Sequence, residues 1–188
     1  GIHLKQYYTL PLAEVKEKET DYKSSCKKLS SLLEESVKNR MISDVPLGSF
    51  LSGGLDSSII AAIAARHTRH LKTFSIGYKD EKYFDETAYA ELTAKKIGSD
   101  HHVFSLSNDD LFEQLHSVLE ELDEPFADSS ALAVNILSMH TQKHVKVALS
   151  GDGADELFGG YNKHQAELKA RKGGIATSLV KTSGPILK

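Results

Sequence analysis

Apolar positions along the chain change period repeatedly, and the changes divide it into alternating helices and strands. From Ser24 to Met41, Leu29, Leu32, Leu33 and Val37 recur at helical spacing among lysines and glutamates, which predicts an amphipathic helix. Pro46 and Gly48 end it, and Phe50 and Leu51 complete a short buried strand. The run "SSIIAAIAARH" is apolar on nearly every side, so the helix it predicts, starting near Ser57, must be enclosed rather than laid on a surface. "LKTFSIGY" predicts a second strand. "DETAYAELTAKKIG" predicts a helix capped by Asp85, facing inward through Ala88, Leu92 and Ile97 and stopped by Gly98. "HHVFSL" is a third strand, opened by His101 and His102. Ser107 with Asp110 makes a capping-box start to the next helix, whose core stripe is Leu111, Phe112, Leu115, Leu119 and Leu122. A helix from Ser130 to Lys143 precedes a last strand, "VKVALS". Such alternation predicts an α/β fold, a layered αβα arrangement around a central, mainly parallel sheet, in which ligands bind at the carboxyl ends of strands.

The ends of the chain are patterned differently. Residues 1–22 carry one proline, mixed charge and no sustained period, which suits an extended linker; residues 23–165 hold the alternating elements; residues 166–188, with glycines and weak periodicity, suit a mobile tail. With 26 acidic against 23 basic side chains, no broad basic footprint for nucleic acid or an anionic membrane is present. No apolar run approaches the roughly 20 residues that span a bilayer. The single cysteine, Cys26, fits a reducing compartment, and a cytoplasmic location is expected.

Candidate chemistry gathers in two glycine-rich turns, each following a strand. In "SGGLDSS", Ser52, Gly53 and Gly54 leave a strand and feed a helix, so backbone N–H groups and a helix N-terminus face one point, an anion site. The hydroxyls of Ser52, Ser57 and Ser58 add neutral donors. Asp56 would repel a phosphate held there unless a divalent cation lay between them, which implies Mg²⁺. No Gly-x4-Gly-Lys-Ser/Thr run is present, so this is a phosphate loop of another kind. In "SGDGADELFGGY", Ser150, Gly151 and Gly153 repeat the strand-to-glycine device, and Asp152, Asp155 and Glu156 bring three carboxylates to the same end of the sheet. Paired histidines (His67 with His70, His140 with His144) lack the cysteine partner or HExxH spacing of a zinc site, and His67, His70 and His144 are expected to complement helix C-termini.

The first of these turns resembles the SGG-x-DS signature of the ATP pyrophosphatase, or PP-loop, superfamily. With "FSIGY", "FDETAYAELTAKKIGSDHH", "DEPFADSSA" and "SGDGADELFGGY" in order from Val45 to Asn162, the chain is similar to the synthetase domain of the glutamine-hydrolysing asparagine synthetase family. The resemblance implies an adenine nucleotide alpha hydrolase-like fold that uses ATP and Mg²⁺ to adenylate the side-chain carboxylate of aspartate for attack by ammonia. It assigns Mg²⁺ to Asp56 and Asp155, and adenine to the backbone at Leu51 and Ile76. Ser150 and Gly151 are placed near the nucleotide, and Asp152 near the acyl-adenylate. Glutamate is common at the Asp152 position in the family, so the carboxylate here is shorter. Related adenylating amide ligases, β-lactam-synthetase-like or of secondary metabolism, share both loops; a non-catalytic relative would lack Asp56 or Asp155, and both are present. The family's ammonia comes from an N-terminal glutaminase domain with a leading cysteine, and its synthetase domain continues beyond the length seen here. The expectation is therefore a fragment, inactive alone, whose full-length form has aspartate and ammonia as substrates, a glutaminase domain as partner and room for a homodimer.

Overall fold

The structure, a computed structural model, describes residues 1–8, 21–124 and 128–172. Most of the expected linker (9–20), part of "DEPFADSSA" (125–127) and the tail from 173 onward lie outside the described residues. In chain order the elements are α1 (Tyr22–Arg40), β1 (Leu47–Phe50), α2 (Leu55–His67), β2 (Lys72–Tyr78), α3 (Thr87–Ile97), β3 (Asp100–Leu106), α4 (Asn108–Glu121), α5 (Ser130–Thr141), β4 (Val147–Leu149), α6 (Ala154–Phe158) and α7 (Asn162–Lys172). Helix α7 covers the first seven residues of the segment read as a tail, 166–172.

The four strands form one parallel sheet in the order β3-β2-β1-β4. From β1 the chain steps outward through β2 to β3, then returns to place β4 on the other side of β1. The reversal lies between β1 and β4, where crossovers leave opposite ways and open a crevice at the strands' carboxyl ends. Both glycine turns follow these two strands. Helices cover both faces: a Cβ on Gly77 would meet Thr87 of α3, whereas Phe74, of opposite parity on β2, lies by His144 just after α5. The α/β layering expected from the alternation is what the chain forms.

Helix α2 sits between the sheet, α1 and α3, with Ala61, Ile63 and Ala64 buried, as its all-round apolar composition requires. On α1, Val37 is buried and Leu33 half-buried, but Leu29 and Leu32 are exposed. Helix α3 turns Ala90 and Ala94 inward, while Ala88 and Leu92 are exposed, contrary to expectation. Small side chains allow α3 to lie close to α2, and the larger Leu92 falls outside that seam. The capping box of α4 is present: Ser107 Oγ accepts from Asp110 N at 3.2 Å, and the Asp110 carboxylate accepts from Ser107 N at 2.7 Å. The Ser107 hydroxyl, donating to Asp110 Oδ2 at 2.7 Å, and the Ser107 N–H together hold the Asp110 carboxyl below its usual range. Its stripe is narrower than expected. Val118 is the buried residue and Phe112, Leu115 and Leu119 are exposed, because α4 packs chiefly on α5 rather than across the sheet. Gly98 ends α3 in the left-handed conformation, as expected.

Gly48, in the middle of β1, leaves room for the fully buried Phe74 ring: a Cβ there would lie 2.7 Å from Phe74 Cε2 and 2.9 Å from Lys72 O. Gly48→Ala is therefore expected to lower stability by about 1–3 kcal/mol through overpacking, seen as a fall in the thermal midpoint. An unchanged midpoint would mean that β1 and β2 separate freely.

Candidate active site

The chain leaves β1 with Leu51 N–H still donating to Phe74 O, at 2.8 Å, and then turns. Gly53 and Gly54 have different tasks. Gly53 has φ +87°, and a Cβ on it would lie 2.7 Å from both Ala90 N and Tyr89 Cβ, so it is required by conformation and by the press of α3. Gly54, the N-cap of α2, has φ −64°, and a Cβ would meet only Ser52 Oγ at 3.2 Å. The turn is held by a ring of hydrogen bonds. Gly54 N donates to Ser52 Oγ at 3.2 Å, Ser57 Oγ donates to Gly54 O at 3.3 Å, and the two hydroxyls lie 3.0 Å apart. Ser52 N also donates to Ser57 Oγ, at 3.2 Å. Ser58 N–H makes the first intrahelical bond, to Gly54 O, at 3.1 Å. The N–H groups of Leu55, Asp56 and Ser57 therefore have no intrahelical acceptor, and a first turn of this kind can receive an anion. Ser58 Oγ lies instead 3.4 Å from Thr93 Oγ1 on α3.

The turn after β4 rests on this first turn. A Cβ on Gly151 would lie 2.9 Å from Ser57 N and 3.1 Å from both Asp56 C and Asp56 Cβ. Ser150 Oγ donates to Asp152 Oδ2 at 2.9 Å and so orients that carboxylate. Asp56, Ser150, Gly151 and Asp152 line one cavity of about 310 Å³, together with Arg40 from the last turn of α1. Asp155 is not among its lining residues; its Oδ1 lies against Gly160, where a side chain would collide with it. A second cavity, of about 860 Å³, opens at the ends of β1 and β2 and is lined by Leu51, Ser52 and Ile76 with the aromatic Tyr78, Tyr83 and Phe84. An aromatic lining can take a flat heterocycle.

Beside α6, Tyr161 Oη donates to Glu156 Oε1 at 2.7 Å, and Lys163 Nζ stands 4.6 Å from the centroid of the Tyr161 ring. The hydrogen bond to Glu156 pushes the Tyr161 phenol up to about 12 and holds the Glu156 carboxyl below its usual range. Among the described residues no three His, Cys, Asp or Glu side chains form a group that could hold a metal ion. His67 pairs with Glu34 of α1 at 2.5 Å, and His144 packs against His102 with tilted rings whose centroids are 4.5 Å apart. No helix among the described residues is long and apolar enough to cross a membrane. Reading the sequence alone missed Arg40, whose place on an ordinary charged helix end carries no signal, and the aromatic lining of the larger cavity, which is scattered over two segments.

The family model described as asparagine synthase matches residues 28–183. A Mycobacterium tuberculosis protein with a provisional glutamine-hydrolysing asparagine synthetase name is 43% identical over 143 residues, covering 76% of this chain and 22% of that protein. Asparagine synthetase (glutamine-hydrolysing) 1 of Bacillus subtilis is 38% identical over 159 residues, covering 85% of this chain and 25% of its own length. The chain thus spans about a quarter of the length of these curated relatives. Among solved structures, NMN synthetase from Francisella tularensis aligns with TM-score 0.49 and 19% identity over 76% of this chain and 59% of that one.

The two glycines and the phenol give separate tests. Gly53→Ala is expected to cost more than about 1 kcal/mol of stability in the ligand-free protein, whereas Gly54→Ala costs less than that, since its φ is one any residue adopts. Equal losses would remove the distinction drawn between them. The phenol of Tyr161 should ionise near 12 in an ultraviolet titration and move down toward 10 in Glu156→Gln. Because one group is lowered and the other raised, the contact persists across neutral pH. It is lost as pH falls through the lowered Glu156 value or rises through that of Tyr161.

Proposed function

Because the chain belongs to the asparagine synthase family, we propose that its two loops form the nucleotide site of an ATP-dependent amide ligase. Its reaction joins the side-chain carboxylate of aspartate to ammonia. The observation that carries this reading is the seating of Gly151 on the Asp56–Ser57 backbone, which unites the turns after β1 and β4 at the sheet's reversal point. A carboxylate oxygen of aspartate bonds to the α-phosphorus of ATP as pyrophosphate leaves. Ammonia then attacks the acyl carbon, AMP departs, and asparagine forms after loss of a proton.

Each part of the chain has a task in this scheme. The N–H groups of Leu55, Asp56 and Ser57 face the phosphates, and the serine ring keeps the turn in shape before ATP arrives, so little reorganisation accompanies binding. The larger cavity takes the base against Leu51 and Ile76. Asp152, oriented by Ser150, lies toward the acyl group, and Ser150 and Gly151 border the phosphates. No side chain is needed as a covalent nucleophile; positioning and charge do the work.

The donors present fit a hard divalent cation. The half-buried Asp56 carboxylate has no hydrogen-bond or ion-pair partner among the described residues; Asp155, proposed as the second ligand, has its carboxylate against Gly160 and would have to turn toward Asp56 to share the cation. Mg²⁺ is ordinarily held by one or two carboxylates plus phosphate oxygens and water, so a complete protein cage is not required. When bound, it would offset the negative charge on the departing pyrophosphate. In the full-length protein, ammonia is proposed to come from a glutaminase domain; the relatives' names call those proteins glutamine-hydrolysing.

Calorimetry tests the site directly. ATP should bind at least about tenfold more weakly without Mg²⁺, a difference of about 1.4 kcal/mol, and Asp56→Ala should abolish that dependence. Aspartate should raise pyrophosphate release by the full-length protein. Affinity indifferent to Mg²⁺, or release indifferent to aspartate, would overturn the metal or the substrate assignment respectively.

A further inference from the structure

The larger cavity contains a feature that the family resemblance leaves unassigned, in the way β1 and β2 part. Along β2 the backbone groups alternate sides. Lys79 N donates to Leu106 O at 2.8 Å and Leu71 O accepts from Asp100 N at 2.9 Å, so odd residues bond toward β3. Phe74 O accepts from Leu51 N at 2.8 Å, so even residues bond toward β1. Alternation therefore turns the N–H and C=O of Ile76 toward β1. Strand β1 pairs with β2 only as far as Phe50 opposite Phe74. Had the ladder run one step further, Ile76 N–H would donate to Leu51 O. Among the described residues no such bond is made. Leu51 O instead accepts a hydrogen bond from the buried Ser75 hydroxyl.

We propose that Ser75 is the positioning residue of the base site: its hydroxyl draws the Leu51 carbonyl away from β2 and leaves the backbone edge of Ile76 open to the adenine of ATP. An adenine presents a ring-nitrogen acceptor beside an amino donor, the complement of one residue's N–H and C=O. The inference rests on reading the cavity as an ATP site.

What keeps Ser75 in this role is a line of buried polar groups on the α3 face of the sheet. The Ser75 proton is committed to Leu51 O, so at 3.4 Å His101 Nε2–H is the donor to Ser75 Oγ. His101 Nδ1 then accepts from Thr73 Oγ1 at 2.9 Å, and Thr73 Oγ1 accepts from Ser99 Oγ at 2.9 Å. All the protons run one way, from Ser99 to the Leu51 carbonyl. Burial pushes the His101 imidazole below its ordinary value and favours the neutral ring, which alone donates at one nitrogen and accepts at the other.

Two measurements on wild type, Ser75→Ala and the hydroxyl-retaining Ser75→Thr decide the matter, with thermal melts confirming that each variant is folded. In ligand-free protein, Ile76 N–H should exchange freely in wild type. In Ser75→Ala it should slow at least about tenfold as the Leu51 carbonyl returns to the ladder. The ratio of ATP affinity to inorganic tripolyphosphate affinity should fall about tenfold in Ser75→Ala, the worth of one hydrogen bond, and be kept in Ser75→Thr. Tripolyphosphate binding itself should not change. Protection of Ile76 N–H in wild type, or an unmoved affinity ratio in Ser75→Ala when wild type binds ATP, overturns this inference alone. Failure of wild type to bind ATP overturns the nucleotide reading and this inference with it.

Discussion

Two backbones meet at the reversal of the sheet with no space between them for a side chain. Gly151 lies on the first turn of α2 so closely that even a methyl group would strike Ser57 N at 2.9 Å. That contact requires the strand order β3-β2-β1-β4, because only neighbours β1 and β4 deliver their following turns to one place. It also requires α2 to be apolar all round, since the helix that carries this first turn is held by the sheet, α1 and α3 together. The turns after β1 and β4 thus meet backbone to backbone, which fixes where Asp56 and Asp152 leave the chain.

Both loops are legible in the sequence because a glycine-rich polar run directly after a short apolar strand has few other physical uses. The alternation of elements is legible for the same reason: period changes are sharp at Pro46, Gly98 and Ser107. Helix faces are less so. Leu92 and Phe112 carry larger apolar groups than Ala90 and Val118 yet are exposed, because the decisive quantity is how closely two helices approach, and a stripe of alanines permits a closer approach than leucine does. Hydrophobic size alone ranks these positions in the wrong order.

The candidate site divides in the same way. Asp56, Gly151 and Asp152 come together as their motifs suggest, whereas Asp155, equally conspicuous in the sequence, has its carboxylate over the Gly159–Gly160 turn. A five-residue helix between two left-handed glycines sets that direction, and no count of acidic residues reveals it. Arg40 enters from a helix more than ten residues upstream of the first loop, by packing alone.

Adjacent histidines on β3 show what sheet geometry adds to composition. Alternation sends His101 and His102 to opposite faces, and the two faces treat an imidazole differently. His102 stacks on Phe74 and packs, tilted, against His144, with ring centroids 5.4 and 4.5 Å away, and its Nε2 sits 3.3 Å from Asp100 Oδ2 without the alignment of a hydrogen bond. It is used chiefly as a flat apolar body. His101 bonds through both nitrogens, to Thr73 and Ser75. Three polar side chains on one buried face of a sheet would be costly if any lacked a partner, since an unpaired buried polar group costs about 1–3 kcal/mol. Connected in one direction, they are satisfied, and the last proton of the line falls on the carbonyl at which β1 leaves β2. The polar face under α3 is therefore tied to the geometry of the cavity, although His101 does not line it.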